Sequence, residues 1–353
     1  MVSDPDGPVW RALHIHHYGD QDALLTDGVA AALESLSASV DRFFFLRYWQ
    51  GGHHIRLRIQ APEAEVGALT AELADAVKAY LAENPSDTGF DLDQFDVEAQ
   101  PTMAALENTE VSEIYPPDTI REVAYEPEYG KYGGKRGIEI AEEYFCASSR
   151  VVLDALPEVR QHSSKRLGIG FSMMLRGLSA AGLTAADMAD FFAHYCTLWA
   201  PYAFDVFLDT WPDLLVKRRE PMRAHTEKVL AHSGELTDAF STAVRTAWQR
   251  FQASRDEVLD EVTLLGDDAD AHRRARVLLV SYLHTHNNRL GLIPEQEAFL
   301  GYLGHHVLSE CAGTPSAPDL LGLVREKRAE RLGLGDQAAQ RSRGTSEPTG
   351  HPR

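Results

Sequence analysis

The stretch that most constrains the fold is a strand, turn and strand pattern in residues 40–59. Its first half is an almost continuous apolar and aromatic run, which is typical of a buried strand, and two adjacent glycines then supply a turn. In its second half, apolar and basic side chains alternate, so the two kinds face opposite sides of a strand. The pattern predicts a β-hairpin that displays His54, Arg56 and Arg58 in a row.

The elements around this hairpin are predicted from residue type and periodicity. Strands are expected near residue 9 and in residues 120–125, where β-branched and aromatic residues alternate with polar ones. Residues 23–36 and 62–81 have helical apolar spacing. Residues 85–120 are rich in Asp, Pro, Thr and Asn, which predicts loops with one or two short strands.

From Gly137 onward the apolar spacing becomes helical. The predicted helices lie near residues 137–155, 163–181, 184–200, 221–231, 235–258, 270–291, 295–311 and 317–332. The predicted fold class is therefore α+β, with an N-terminal mixed or antiparallel sheet and its helices, followed by a mostly helical C-terminal half. We expect residues 1–135 to form the sheet-containing part and residues 136–332 the helical part of one domain. Residues 333–353 are polar and Gly-rich, which predicts a flexible tail.

Charge and segment composition narrow the range of partners. A formal net charge of −19 opposes long-range attraction to nucleic acid phosphates. No apolar run approaches the roughly 20 residues that cross a bilayer, and the first residues lack the basic and apolar segments of a secretion signal. We therefore expect a cytoplasmic protein with no membrane partner and no direct nucleic acid partner.

The cysteines indicate neither a disulfide framework nor a thiolate zinc site. Cys146, Cys196 and Cys311 are odd in number and widely spaced, and no two form a C-x-x-C pair. We interpret them as small buried hydrophobic residues.

The hairpin is the most distinctive candidate binding site, because it gathers cationic and titratable side chains around one tight turn. Arg56 or Arg58 suits bidentate binding of a carboxylate, since a planar guanidinium matches two carboxylate oxygens. Arg47 and His54 flank the same turn and are candidate substrate-binding residues. The alternative interpretation is a solvated strand face with ordinary surface ion pairs.

A second candidate is the glycine-rich loop that contains Tyr132. Three glycines in this loop permit backbone conformations that other residues avoid. Either the loop brings Tyr132 or a backbone amide against a substrate, or the glycines make a sharp connection from strand to helix.

A third candidate lies near the end of the helix predicted at 270–291. Ser281, His284 and Asn288 fall on one helical face, so Asn288 is expected to orient the imidazole of His284, which suits proton transfer at neutral pH. Alternatively, these side chains pack against neighbouring helices. His286 lies on another face and no H-E-x-x-H spacing occurs, so no metal site is predicted.

Taken together, these blocks resemble the small C-terminal domain of lantibiotic dehydratases, which thiopeptide biosynthesis proteins share. The resemblance covers residues 10–291 and follows a tryptophan-containing first strand. Its blocks are Phe44-Phe45-Leu46-Arg47-Tyr48-Trp49-x-Gly51-Gly52-x-His54-Ile55-Arg56-Leu57-Arg58, Tyr132-Gly133-Gly134 and Leu283-His284-x-x-x-Asn288-Arg289.

The resemblance implies a lyase acting on a ribosomally made precursor peptide with a leader. In that family a large domain uses glutamyl-tRNA to glutamylate Ser or Thr, and the small domain eliminates glutamate to leave dehydroalanine or dehydrobutyrine. By resemblance, Arg58 with Arg56 holds the departing glutamate, His284 transfers a proton, and Arg289 belongs to the substrate-binding set. A separate tRNA-dependent glutamylating subunit is the implied partner, and no cofactor is implied.

Two other functions stay open at this point. The family pattern carries arginine where this chain has Pro127 and Lys131, which is compatible with the family's other activity, the aza-cycloaddition that forms the pyridine of thiopeptides. A non-catalytic subunit that binds the precursor peptide is a third hypothesis, since an acidic surface suits a basic leader.

Overall fold

A computed structural model describes residues 8–36, 40, 42–86, 89, 91–263, 270–317 and 319–332. The strands in these ranges are β1 (Pro8–His16), β2 (Arg42–Tyr48), β3 (His54–Pro62) and β4 (Ile120–Val123). The α-helices are α1 (Gln21–Ala23), α2 (Ala30–Ser35), α3 (Glu63–Glu83), α4 (Leu92–Gln94), α5 (Gln100–Glu107), α6 (Tyr129–Tyr132), α7 (Gly134–Gln161), α8 (Arg166–Ala180), α9 (Ala185–Trp199), α10 (Asp205–Leu208), α11 (Trp211–Ala231), α12 (Ala239–Ala253), α13 (Arg255–Asp260), α14 (Ala271–Leu290), α15 (Pro294–Ala312) and α16 (Leu320–Arg331). A π-helical turn, Leu24–Val29, joins α1 to α2, and a second, Phe95–Ala99, joins α4 to α5.

The four strands form one antiparallel sheet in the order β2-β3-β1-β4. The predicted hairpin is therefore β2 and β3, and β1 lies between β3 and β4. In this register His14 on β1 lies opposite Arg56 on β3 and opposite Arg121 on β4. An antiparallel sheet followed by helices confirms the predicted α+β class.

The two faces of the sheet differ as the alternation in β3 predicts. Ile55, Leu57 and Ile59 are buried, and α3 packs on β1 and β3. The opposite face carries the basic side chains of β3 and is called the arginine face below. Helix α7 covers part of it, since its Phe145 contacts Phe44, which lies opposite Arg58 in the register.

Residues 91–107 correct one prediction. The sequence predicted loops and one or two short strands here, but the segment is helical from α4 to α5, with the side chain of Asp91 capping its first turn. Acidic residues and Pro101 obscured the pattern, although proline is compatible with the first turn of a helix. The buried residues Phe95 and Ala104 of this segment pack with Trp49, which follows β2.

The chain divides into two compact units. The first consists of Met1–Thr184 and Lys228–Ile293, and the second of Ala185–Glu227 and Pro294–Arg353. The first unit contains the sheet, with α7 and α14 in contact with β2. In the second unit, α9 packs on α15, and Cys196, Trp211 and Tyr302 belong to its core.

The predicted division at residue 135 within one domain stays a prediction. The predicted tail, residues 333–353, lies outside the described residues. Within the part of the chain that the structure describes, no helix is both long enough and apolar enough to span a membrane.

Candidate functional site

Two guanidinium groups lie beside each other on the arginine face. Arg56 lies over the Tyr48 ring, 3.3 Å from its centroid, and Arg58 lies between Phe44 and Tyr125, at 5.3 and 5.6 Å. Within the described ranges, neither guanidinium forms an ion pair with a carboxylate. Burial, and then the charge of Arg56, lowers the pKa of Arg58 to about 10, so both groups remain cationic at neutral pH. A partly buried pair of cations with no ion-pair partner among the described residues is suited to binding an anion.

A row of neutral histidines borders these arginines. His54 stacks beside His14 and His16, with ring centroids 4.8 and 4.6 Å apart. Burial and neighbouring charges lower the pKa of His54 to about 2, of His14 to about 3 and of His16 to about 4. The row therefore adds no positive charge near neutral pH. Among the described residues, no three His, Cys, Asp or Glu side chains are arranged to hold a metal.

A third arginine on this face was not chosen from the sequence. Arg121 on β4 lies opposite His14, with its guanidinium 3.9 Å from the centroid of Tyr115. The sequence predicted the strand, but only the pairing of β4 with β1 places Arg121 on the arginine face.

Arg47 does not join Arg56 and Arg58. It lies opposite Ile55 in the register, and its side chain donates to Asp22 Oδ1 over 2.6 Å and to the Arg289 carbonyl over 3.0 Å. Asp22 is also paired with Arg166, so its carboxylate links three elements of the first unit. Arg47 thus connects β2 to α14, and its predicted role in binding substrate stays a prediction.

Asn288 also has a structural contact that the sequence did not predict. Its Oδ1 accepts a hydrogen bond from the Arg47 amide, and its Nδ2 donates to the Arg47 carbonyl, each over 2.9 Å. The side-chain amide therefore binds the β2 backbone, and its predicted role in orienting the imidazole of His284 stays a prediction. Ser281, one turn before His284, is 5 % exposed.

His284 is half-buried on α14, within electrostatic range of Glu107. Burial raises the pKa of Glu107, while a hydrogen bond from Trp49 Nε1 and the charges of His284 and Arg56 oppose that shift. Two predicted site residues, His284 and Arg56, thus both lie within electrostatic range of the Glu107 carboxylate. Sequence reasoning missed Glu107, because the helix that carries it was not predicted.

Behind Arg58 lies a group of buried polar atoms without partners. Arg289 is fully buried, and its Nε and Nη1 donate to the Phe45 carbonyl and Ser148 Oγ. Its Nη2, the hydroxyl of Tyr132 and Nε of Arg58 have no hydrogen-bond partner in the described structure. Tyr132 and Arg289, both predicted substrate-binding residues, are therefore placed deeper than Arg56.

One further polar cluster resembles a hydrolase triad in composition only. Asp118 Oδ1 lies 2.9 Å from His17 Nδ1, and Ser86 Oγ lies 3.1 Å from the same nitrogen. A nucleophilic triad needs serine and aspartate on opposite ring nitrogens. The cluster therefore connects loops and does not activate a serine.

Comparisons with known proteins agree with this architecture. A family model described as "Lantibiotic biosynthesis dehydratase C-term" matches residues 10–308. No curated protein matches the chain.

Three solved structures share the fold. The pyridine synthase TbtD from thiomuracin biosynthesis has a TM-score of 0.68 and 21 % identity, over 86 % of this chain and 99 % of that one. For TsrL the TM-score is 0.59 and the identity 17 %, over 91 % of this chain and 99 % of that one. For the tRNA-dependent lantibiotic dehydratase MibB from Microbispora sp. 107891, the TM-score is 0.51 and the identity 18 %, over 86 % of this chain but 28 % of that one.

Proposed function

Since the chain belongs to the lantibiotic biosynthesis dehydratase C-terminal family, we propose that it eliminates glutamate from a glutamylated precursor peptide. Glutamylated Ser would become dehydroalanine, and glutamylated Thr would become dehydrobutyrine. The enzyme is thus proposed to be a lyase in the maturation of a ribosomally made peptide. A separate tRNA-dependent enzyme is proposed to supply the glutamylated substrate.

The observation that supports this proposal most directly is the guanidinium pair of Arg56 and Arg58. Both groups are partly buried, and within the described residues neither has a carboxylate partner. A glutamyl group brings a free side-chain carboxylate, and its elimination creates a second carboxylate. Because hydrogen bonds between guanidinium and carboxylate are charge-assisted, the pair suits both the substrate and the leaving group.

The proton in this reaction is assigned to His284. The imidazole removes the proton from Cα of the modified residue, and that electron pair forms the Cα–Cβ double bond. The Cβ–O bond breaks, and its electrons leave on the glutamate carboxylate. His284 is half-buried, and both His284 and Arg56 lie within electrostatic range of Glu107, which supports placing base and anion site near each other.

The test is mass spectrometry of a glutamylated precursor peptide incubated with the purified protein. We expect loss of the glutamyl group with the wild type, and an unchanged mass with His284→Ala and Arg58→Ala. Arg11→Ala is the matched control, because Arg11 lies on the opposite face of the same sheet in an exposed pair with Glu122. An unchanged glutamylated mass with correctly folded wild type would reject elimination.

Pyridine formation is the second candidate function. Its support is the structural match to TbtD, a pyridine synthase whose chain is covered over 99 % of its length. A peptide with two dehydroalanines tests it, since formation of the ring changes both its mass and its ultraviolet absorbance. This product without any loss of glutamate from glutamylated peptide would favour cycloaddition over elimination.

A further inference from the structure

Glu142 on α7 is a buried carboxylate that accepts hydrogen bonds from two neutral donors. It is 7 % exposed, Trp10 Nε1 donates to its Oε2, and the Tyr125 hydroxyl donates to its Oε1, each over 2.9 Å. Within the described ranges it forms no ion pair with a lysine or arginine, and the charge of Arg42 acts on it only at longer range. Burying an acid without a cation is unfavourable, so this carboxylate requires an explanation.

Tyr125 connects this carboxylate to Arg58. Its hydroxyl binds Glu142, while its ring lies 5.6 Å from the Arg58 guanidinium. Trp10 and Phe44 hold the ring from two sides in T-shaped contacts, each with a centroid distance of 5.9 Å. Phe44 is itself 5.3 Å from the Arg58 guanidinium. The guanidinium therefore lies against two aromatic rings, and one of these, Tyr125, also binds a carboxylate.

This arrangement lets a negative charge act on Arg58 without occupying its N–H groups. A cation is attracted to the face of an aromatic ring, and a phenol that donates to a carboxylate becomes more electron-rich, which strengthens the attraction. Burial, and then the charge of Glu142, raises the pKa of Tyr125, so the phenol stays a donor at neutral pH. A direct ion pair between Glu142 and Arg58 would instead use the N–H groups that an anion needs.

Arg58 has few polar contacts that could fix its position. Nη1 donates to the Arg56 carbonyl over 3.2 Å, and Nε has no hydrogen-bond partner among the described residues. Burial and the charge of Arg56 both disfavour the cationic form. The place of the guanidinium thus depends largely on the rings of Phe44 and Tyr125.

We infer that Glu142 and Tyr125 are positioning residues that hold the Arg58 guanidinium in place for the anion that it binds. This inference rests on the proposed elimination, in which Arg58 binds a carboxylate. Glu142 acts through Tyr125, and Tyr125 acts through Arg58, so neither needs to contact the reacting atoms. Their loss should raise KM more than it lowers kcat.

Variants of two tyrosines separate positioning from stability. Tyr125→Phe keeps the ring beside Arg58 and removes its bond to Glu142. Tyr195→Phe is the matched control, because this buried tyrosine of the second unit also donates its hydroxyl to a buried carboxylate, that of Glu297. Each variant should lower the melting temperature, since each loses a hydrogen bond to a carboxylate. Tyr125→Phe and Glu142→Gln should raise KM for the glutamylated peptide about five-fold or more, whereas Tyr195→Phe should leave KM unchanged.

Arg58 can also be observed without turnover. The Nε–H signal of its guanidinium in NMR spectra of the full-length protein, assigned by its loss in Arg58→Lys, reports how firmly the group is held. We expect one sharp signal in the wild type and in Tyr195→Phe, and a shifted and broadened signal in Tyr125→Phe and Glu142→Gln. If Glu142→Gln does not fold, Tyr125→Phe provides the same test, because it loses a single oxygen atom.

The two measurements separate this inference from the proposed reaction. If the wild type does not eliminate glutamate but the Arg58 signal depends on Glu142 and Tyr125, the positioning role stands and the reaction is rejected. If the wild type eliminates glutamate, and both KM and the Arg58 signal are unchanged in the folded variants of Glu142 and Tyr125, the reaction stands and the positioning role is overturned.

Discussion

Arg56 donates a hydrogen bond from Nε to Nε2 of His54 over 3.1 Å. The other ring nitrogen of His54, Nδ1, lies 2.7 Å from the Gly52 carbonyl, so the imidazole is the neutral Nδ1–H tautomer. Burial, the largest of several influences, lowers its pKa to about 2 and preserves that form at neutral pH. His54 therefore holds Arg56 by the guanidinium Nε. The two terminal guanidinium nitrogens of Arg56 are the ones that a carboxylate would bind.

Replacement of His54 by phenylalanine tests this positioning role. His54→Phe keeps an aromatic ring beside His14 and His16 but removes the acceptor for Arg56 Nε. We expect KM for the glutamylated peptide to rise about ten-fold, since a hydrogen bond to a charged group contributes about 1.5–3 kcal/mol. The change in kcat should be smaller.

Steady-state kinetics of elimination measure both constants, with His53→Phe as the neighbouring control. A His54→Phe enzyme with the wild-type KM would show that Arg56 is held by other contacts.

The sequence predicted the elements of this region better than their contacts. Alternation in residues 54–59 is local information, so it gave both the strand and the face on which Arg56 and Arg58 lie. The spacing of His284 and Asn288 is also local, but the partner of Asn288 proved to be the Arg47 backbone, 241 residues away in the chain. Helical spacing states which residues share a face and not what that face contacts.

Glu107 and Arg121 were missed for the same physical reason. Each reaches the site through tertiary structure, one on a helix obscured by acidic residues and the other through strand pairing. The unpaired atoms of Tyr132 and Arg289 could not be predicted either, because the absence of a hydrogen bond is a property of the packed structure.

Acid should destabilise the protein in a window set by its buried histidines. His16 is 1 % exposed, and burial and nearby arginines lower its pKa to about 4, whereas an unfolded histidine titrates near 6.5. Between these two pH values the unfolded chain binds more protons than the folded chain. The free energy of unfolding therefore falls as the pH drops below about 6.5, by up to about 1.4 kcal/mol per pH unit for each such histidine. The lowered pKa of Asp22 matters only at lower pH, below its usual value of 3.8.

His16→Phe isolates this effect, because it keeps the ring between His54 and Tyr115. Among the described residues, both nitrogens of His16 lack hydrogen-bond partners, so their removal should not destabilise the fold at pH 8. Urea denaturation from pH 8 to 4.5 should show an advantage of the variant that grows as the pH falls. Parallel pH profiles would mean that His16 does not contribute to acid sensitivity.

The charge of Asp22 should be essential for the stability of the first unit. Its carboxylate is 7 % exposed and is paired with both Arg47 and Arg166. Asp22→Asn leaves two arginines without their counterion, and breaking a buried pair costs about 3–5 kcal/mol. Asp27→Asn is the control, since Asp27 is 52 % exposed in its pair with Arg160 and should cost about 1 kcal/mol or less. Equal urea midpoints for the two variants would contradict a structural role for the buried network.

Gly52 should tolerate no side chain, because its backbone and its surroundings both exclude one. Its φ is +96°, and an added Cβ would lie 1.9 Å from the Tyr18 hydroxyl, which donates to the Tyr115 carbonyl over 2.6 Å. Gly52→Ala should therefore lower the free energy of unfolding by about 2 kcal/mol or more. Gly67→Ala is the matched control, since this exposed position in α3 has nothing within 4 Å of an added Cβ and should gain about 0.5–1 kcal/mol. Urea denaturation of both variants measures the difference in the free energy of unfolding. Because the Gly52 carbonyl also accepts a hydrogen bond from His54, the Gly52→Ala enzyme should have a higher KM as well. A Gly52→Ala protein with wild-type stability and wild-type KM would contradict both expectations.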